Sequence, residues 1–225
     1  MKDDLVLFIV PTPIGNLEDI TYRSVKVLEN SDYILCEDTR VSKKLLSKYN
    51  IKKPLFSYHA FNEHKVVKKH IDDILSGKII SLISDAGTPS ISDPGFLIIR
   101  EAIKNKIEID CLPGATAFVP ALVNSGLSSD KFIFEGFLPT KKGRKKKLEL
   151  LSNETRTIII YESPKRILKT LKELVLFLDK DRKVSVSREL TKIYQENTRG
   201  TIEEVISVFD KKVIKGEIVL IIDGV

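Results

Sequence analysis

The chain has no tryptophan, two cysteines and three histidines, and no apolar run in it is long enough to cross a bilayer. Each scarcity closes off a class of protein. A membrane-spanning helix needs roughly 20 apolar residues in succession. The first apolar run, residues 5–10, is also too short for the core of an export signal and follows Asp3 and Asp4. The expectation is a cytoplasmic protein without a membrane segment. Cys36 and Cys111 both fall in expected strands, and nothing in their spacing pairs them. They read as buried thiols in a reducing compartment. His59, His64 and His70 have no partners at metal-ligand spacing, and two lone cysteines make no zinc set, so no metal is expected. Glycine is missing where nucleotide motifs need it. No G-x-G-x-x-G follows a strand and no G-x-x-x-x-G-K-[ST] occurs, which excludes a dinucleotide fingerprint and a P-loop.

What is present is enough for a packed core: 42% of the 225 residues are apolar. That length suits one large domain or two small ones. The net charge of +6 is uneven. Residues 1–112 hold 16 Lys+Arg and 16 Asp+Glu, whereas residues 113–225 hold 21 and 15. Much of the excess lies in Lys141, Lys142, Arg144, Lys145, Lys146 and Lys147. On charge alone such a run is equally a solvated helix start. Its concentration in one half favours a surface for phosphate backbones.

Hydrophobic periodicity alternates between strand and helix along the whole chain, which predicts an α/β protein with mainly parallel or mixed sheets. Strands are expected at 5–10, 33–36, 55–58, 79–84 and 107–111, with helices at 21–29, 40–49, 63–75 and 95–105 between them. Asp19 or Thr21 should cap the first helix and Asn62 the third. Pro113-Gly114 then interrupts the pattern, and the domains are expected at 1–113 and 114–225. The second half reads as helix 116–125, strand 131–137, a basic helix 142–151 and strand 157–161. A helix with Pro164 in its first turn comes next, then strands 183–187 and 194–200, helix 202–209 and strand 217–222.

Four strand ends open into polar or Gly/Pro-rich loops. Ser84 to Gly95 carries two Asp, two Pro and two Gly in twelve residues, a composition that forbids a regular element and leaves backbone groups bare. Val10 to Asn16, Glu37-Asp38-Thr39-Arg40 and Leu112 to Ala117 have the same character. Open α/β sheets bind ligands at the carboxyl ends of their strands. Asp38 or Thr39 can be an ordinary helix cap and Glu37 a dipole complement. Arg40 is a cation at the positive end of a helix, which calls for a phosphate or carboxylate partner.

These loops, in this order, resemble the tetrapyrrole methylase superfamily. The resemblance extends over nearly the whole chain, through Pro11 to Leu17, Gly136 to Pro139, Tyr161 to Pro164 and Ser187 to Lys192. Within the superfamily it is strongest to the branch that methylates ribose 2′-hydroxyls in small-subunit ribosomal RNA. It implies two α/β domains with S-adenosyl-L-methionine (SAM) in the cleft between them, and a homodimer. It assigns Asp85, Ala86 and Gly87 to the methionine end of SAM, with Ser90 and Ile91 offering backbone contacts. Pro113, Thr116 and Ala117 are assigned to the adenine, Pro11 to Gly15 to the cleft floor, and Tyr161 and Glu162 to the second domain's contribution. The implied partner is small-subunit ribosomal RNA or the 30S particle, at a cytidine of the decoding region. A ribose hydroxyl is a weak nucleophile at neutral pH. Glu37, Asp38 and Asp85 are therefore the carboxylates of interest, with Arg40 holding RNA. Where Tyr161-Glu162-Ser163-Pro164 continues as His-Arg in close relatives, this chain has Lys165-Arg166. Two alternatives remain, a small-molecule tetrapyrrole methylase and a non-enzymatic RNA-binding protein. The first usually opens with a Gly-rich loop, which Pro11-Thr12-Pro13-Ile14-Gly15 is not. The second calls for aromatic platforms, and clustering is meagre beyond Phe132, Phe134 and Phe137.

Overall fold

The computed structural model describes residues 5–225. The described residues form two compact units that divide between Thr116 and Ala117. The expected boundary at Pro113 lies slightly early, because 114–116 stay packed in the first unit. Thr88 Oγ1 donates to Ala115 O at 3.1 Å, and Gly114 lies against the Pro11 ring.

Unit 1 is a five-stranded parallel sheet in the order β3-β2-β4-β1-β5. Its strands are β1 (Val6–Ile9), β2 (Tyr33–Cys36), β3 (Leu55–Ser57), β4 (Ile80–Leu82) and β5 (Glu108–Cys111). The helices are α1 (Tyr22–Asn30), α2 (Thr39–Lys48), α3 (Glu63–Leu75) and α4 (Phe96–Lys104). Alternation along β2 divides the core. Tyr33 and Leu35 join Leu7, Ile9, Ile80 and Leu82 against Ile71 and Ile74 of α3 and Ile98 of α4. Ile34 and Cys36 join Val10 and Ile83 against Leu28 of α1 and Leu46 of α2. Thr21 caps α1, accepting from Ser24 N at 3.0 Å. Asn62 does not cap α3 through its side chain. Its Oδ1 accepts from His59 N at 2.8 Å and its Nδ2 donates to Ser57 O at 2.9 Å, so it fastens the turn before the helix. Cys36 is buried as expected, but Cys111, on edge strand β5, is exposed.

Unit 2 is a mixed sheet. Its strands are β6 (Phe132–Phe137), β7 (Thr157–Glu162), β8 (Lys183–Arg188), β9 (Glu196–Thr201) and β10 (Ile218–Ile222), in the order β6-β7-β10-β8-β9. Only β6 and β7 pair in parallel. β10 inserts between β7 and β8, antiparallel to both, and β8 pairs antiparallel with β9. Strands β7 and β8 run the same way, each antiparallel to β10 between them. Both faces are covered around the fully buried Ile158–Ile160 and Leu220–Ile222. The helices are α5 (Phe118–Ser125), α6 (Arg144–Leu151), α7 (Ile167–Leu174) and α8 (Ile202–Phe209). Pro164 stands in the turn before α7, not in its first turn. Thr201 and Glu204 form a full capping box on α8, a sequence signature that the periodicity reading passed over. The aromatic group is wider than the sequence suggested. Phe118 packs on Phe134 at 5.1 Å, and Tyr161 meets Phe134 edge-on at 5.0 Å and Phe137 at 5.7 Å.

Candidate active site

The carboxyl ends of β1, β2, β4 and β5 project four loops from one edge of unit 1, and hydrogen bonds tie these loops together. Thr12 and Gly87 exchange both backbone hydrogen bonds at 2.9 Å, forming an isolated antiparallel bridge between loops 10–16 and 84–95. Thr12 Oγ1 adds a bond to Ser84 O at 3.0 Å. Ser84 Oγ reaches Gly87 O at 3.2 Å and closes the turn from inside. Thr88 joins loop 112–117 through Ala115. Asp85 Oδ1 accepts from Asp38 N at 3.0 Å and joins the loop after β2.

Backbone conformation in loop 84–95 is unusual. Gly87, Ser90, Ser92 and Gly95 all have positive φ, at 83°, 72°, 61° and 138°. For the two serines this is a disfavoured conformation that the surrounding contacts must hold. Ser90 N is bonded to Pro94 O and Ile91 N to Thr88 O. Pro11, Thr12, Pro13 and Ile14 are buried beneath these loops, whereas Gly15 is exposed. A Cβ on Gly87 would meet Ile14 Cγ2 at 3.4 Å, and one on Gly114 would stand 2.6 Å from Pro11 Cβ. Both glycines thus let one loop lie directly on another.

Three carboxylates converge here with different electrostatics. Burial first, then the Asp85 charge, pushes the Glu37 carboxyl up, with His59 opposing. Burial likewise raises Asp85, and its hydrogen bond from Asp38 N opposes the rise. Asp38 goes the other way, to about 2, because the Arg40 side chain and backbone N–H both donate to it. Arg40 Nη2 lies 2.6 Å from Asp38 Oδ2, and Arg40 Nε 3.1 Å from Oδ1. The partner that the sequence demanded for Arg40 is therefore a carboxylate two residues away. Among the described residues, no group of three or more His, Cys, Asp or Glu side chains is arranged to hold a metal ion. His59 Nδ1 is buried without a hydrogen-bond partner in the structure.

Pro113 is exposed, and Thr116 and Ala117 are half-buried at the chain passage between the units. In unit 2, Tyr161 is half-buried within the aromatic group. The Glu162 side chain is committed internally. One oxygen accepts from Ser163 N at 2.7 Å and meets Arg166 Nη2 at 2.7 Å, and the other accepts from Thr170 Oγ1 at 2.8 Å. Thr170 in turn receives Arg144 Nη2 at 2.8 Å, and buried Arg144 also donates to Glu173 and to Pro139 O. Both oxygens of the Glu162 carboxylate are thus engaged in a buried brace within unit 2. Sequence reasoning missed Arg144 because it lies within a run of lysines.

An α/β sheet carrying mutually braced loops at its carboxyl edge is the frame of a small-molecule ligand site. The chain belongs to the tetrapyrrole (corrin/porphyrin) methylases, whose sequence profile matches residues 6–206. It is similar to the ribosomal RNA small subunit methyltransferase I of Thermotoga maritima, 47% identical over 218 residues that cover 97% of this chain and 98% of that protein. The protein of the same name from Bacillus subtilis is 46% identical over 225 residues, covering 99% of this chain and 77% of its own length. Among solved structures, cobalt precorrin-4 methyltransferase superposes with a TM-score of 0.73 at 18% identity, covering 97% of this chain and 95% of that one. Diphthine synthase gives 0.76 at 11% identity, with 97% and 90% covered. At such low identities these two show the fold alone.

Proposed function

We propose that this protein is a SAM-dependent methyltransferase that modifies the 2′-hydroxyl of a cytidine in small-subunit ribosomal RNA. The observation that carries the reading is the 47% identity, across nearly the full length of both chains, to a ribosomal RNA small subunit methyltransferase I.

The loops of unit 1 suit such a donor. Asp85 Oδ1 is held by Asp38 N, which leaves its second oxygen to pair with the ammonium of the methionine end. Gly87 is buried and side-chain-free at positive φ, so a ligand can lie close to the backbone there. Ser90 and Ile91 offer backbone groups in a turn of fixed conformation, and Pro113 and Thr116 flank the place for the adenine. When bound, SAM supplies a sulfonium-activated methyl group, so the protein has mainly to orient the acceptor oxygen and exclude water.

Glu37 is the best acceptor for the ribose proton. It carries no ion pair among the described residues, and burial raises its basicity toward the working range. Asp38 is a poor base, since Arg40 holds it near pKa 2. Its part is to fix Arg40, which then presents an exposed guanidinium face to RNA.

A homodimer in the cytoplasm completes the reading. No helix of the described residues is long and apolar enough to cross a membrane. Light scattering at micromolar concentration should return twice the chain mass, and a monomer mass would remove the dimer.

The activity is tested by incubating the protein with labelled SAM and purified small ribosomal subunits, followed by nucleoside mass spectrometry. Label in 2′-O-methylcytidine is the expected outcome. Label in a base, or in added tetrapyrrole but not in RNA, overturns the reading.

A further inference from the structure

Unit 1 is neutral when averaged over its length, yet its charge is sharply segregated. From Arg40 to Lys69 the chain carries nine Lys+Arg and one carboxylate, Glu63. The fold brings this stretch to the β3 edge of the sheet, with α2 on one face and α3 on the other. None of its eight lysines is in an ion pair among the described residues. Arg40 alone is paired, with Asp38.

A pocket of about 510 Å³ opens in this edge, between α2 and residues 51–55. Lys43, Lys52 and Lys53 line it with the Thr39 and Ser47 hydroxyls, over an apolar floor that includes Leu46 and Ile51. No carboxylate lines it. Thr39 is the first residue of α2 and follows Asp38 directly, so the pocket adjoins the candidate active site. On the other side of the edge, Lys69 Nζ lies 5.2 Å from the ring centre of Phe56, and Phe61 is 94% exposed.

We propose that the α2–β3–α3 edge grips the phosphate backbone of the RNA, with one phosphate seated among Lys43, Lys52 and Lys53. This rests on the RNA reading above. Several observations favour a polyanionic chain over a single small anion. The cations continue outside the pocket, with Lys65, Lys68 and Lys69 on α3. They are lysines, point charges that read backbone rather than base identity. Exposed aromatic faces beside them suit the stacking of single-stranded bases. The basic run 141–147 is a weaker claimant, because part of its charge is already spent. Arg144 is buried on Glu173, Lys147 Nζ lies 2.6 Å from Glu135, and Lys145 Nζ lies 3.8 Å from Glu149.

The test measures binding of the full chain to purified small ribosomal subunits and to a 20-nucleotide single-stranded RNA over a range of salt. K43A/K52A/K53A is compared with K145A/K146A/K147A and wild type. Each phosphate contact contributes about 0.7 to the log–log salt slope on single strands. The pocket triple should therefore lose about 0.7 in slope and severalfold in affinity at physiological salt. Its SAM affinity and melting temperature should stay at wild-type values, since all three lysines lie outside the core. The 145–147 triple should lose less. Wild-type affinity and slope in the pocket triple would overturn the proposal while leaving the RNA reading intact. Failure of wild type to bind either RNA would overturn both. Tight binding of inorganic phosphate or phosphatidylglycerol vesicles that RNA cannot compete away would assign the edge to another anion and also overturn it.

Discussion

Asp85 and Asp38, 47 positions apart in sequence, are joined by one hydrogen bond of 3.0 Å from the Asp38 N–H to Asp85 Oδ1. That bond links the loops after β4 and β2. It places Asp85, Asp38 and Glu37 in one electrostatic group, in which the Asp85 and Asp38 charges raise Glu37 and the Asp38 charge raises Asp85.

The bond and the charge of Asp85 are separable. Asp85→Asn retains an acceptor for Asp38 N, so its stability should stay within about 1 kcal/mol of wild type. Asp85→Ala leaves the N–H unpaired and should cost about 1–3 kcal/mol. Both should lose SAM affinity, because neither offers a counter-charge to the ammonium. Urea denaturation and calorimetry with SAM separate the two effects. Unchanged affinity in Asp85→Asn would remove the ammonium partner.

The raised carboxyls set a pH dependence. Asp85 and Glu37 both titrate above the usual carboxylate range. Between the ordinary value and the raised one, the folded protein binds more protons than the unfolded chain. The contribution of these two groups to stability therefore falls as pH rises through that window. SAM affinity should do the opposite, rising as Asp85 ionises, with an apparent pKa above that of an ordinary aspartate. Titration of affinity in wild type and Asp85→Asn is the check, and the variant should lose this step.

Gly114 tests how tightly the loops lie on one another. An added methyl would stand 2.6 Å from Pro11 Cβ. Gly114→Ala must push loop 112–117 away from loop 10–16, at about 1–3 kcal/mol, and should weaken SAM binding. A variant with wild-type melting temperature and affinity would mean that the two loops separate freely.

The Glu162 brace should behave as a buried ionic network. Glu162→Ala strands Arg166 and the Thr170 hydroxyl and should cost about 3–5 kcal/mol in unit 2. Glu162→Gln, which keeps acceptor and donor groups in place, should cost less. If alanine changes SAM affinity while leaving denaturation unaltered, Glu162 is a ligand contact after all.

Much of the fold was legible in the chain because the deciding signals are local. Residues 33–36 and 63–75 declare a buried strand and an amphipathic helix by their own periodicity. The four loops stand out because Gly, Pro and Asp at those spacings leave the backbone few other conformations. Thr21 and the Thr201–Glu204 box are likewise local signals. The direction of β10 was not legible. A strand buried on both faces has the same apolar composition in a parallel or an antiparallel pairing, so only assembly placed it between β7 and β8.

Side-chain roles divided in the same way. The sequence by itself determined that Arg40 needed an anionic partner, since a cation at a helix start is unfavourable wherever the helix sits. Only the tertiary structure decided that Asp38 supplies it, that Glu162 is sealed by Thr170 and Arg166, and that Arg144 leaves its basic run for the core. The lysines between 40 and 69 were visible as letters, but their surplus cancelled in a domain-wide count. Charge acts over roughly 10 Å of space at moderate salt, not over sequence halves. It took the sheet order, with β3 at the edge, to bring those cations to the two flanks of a single edge.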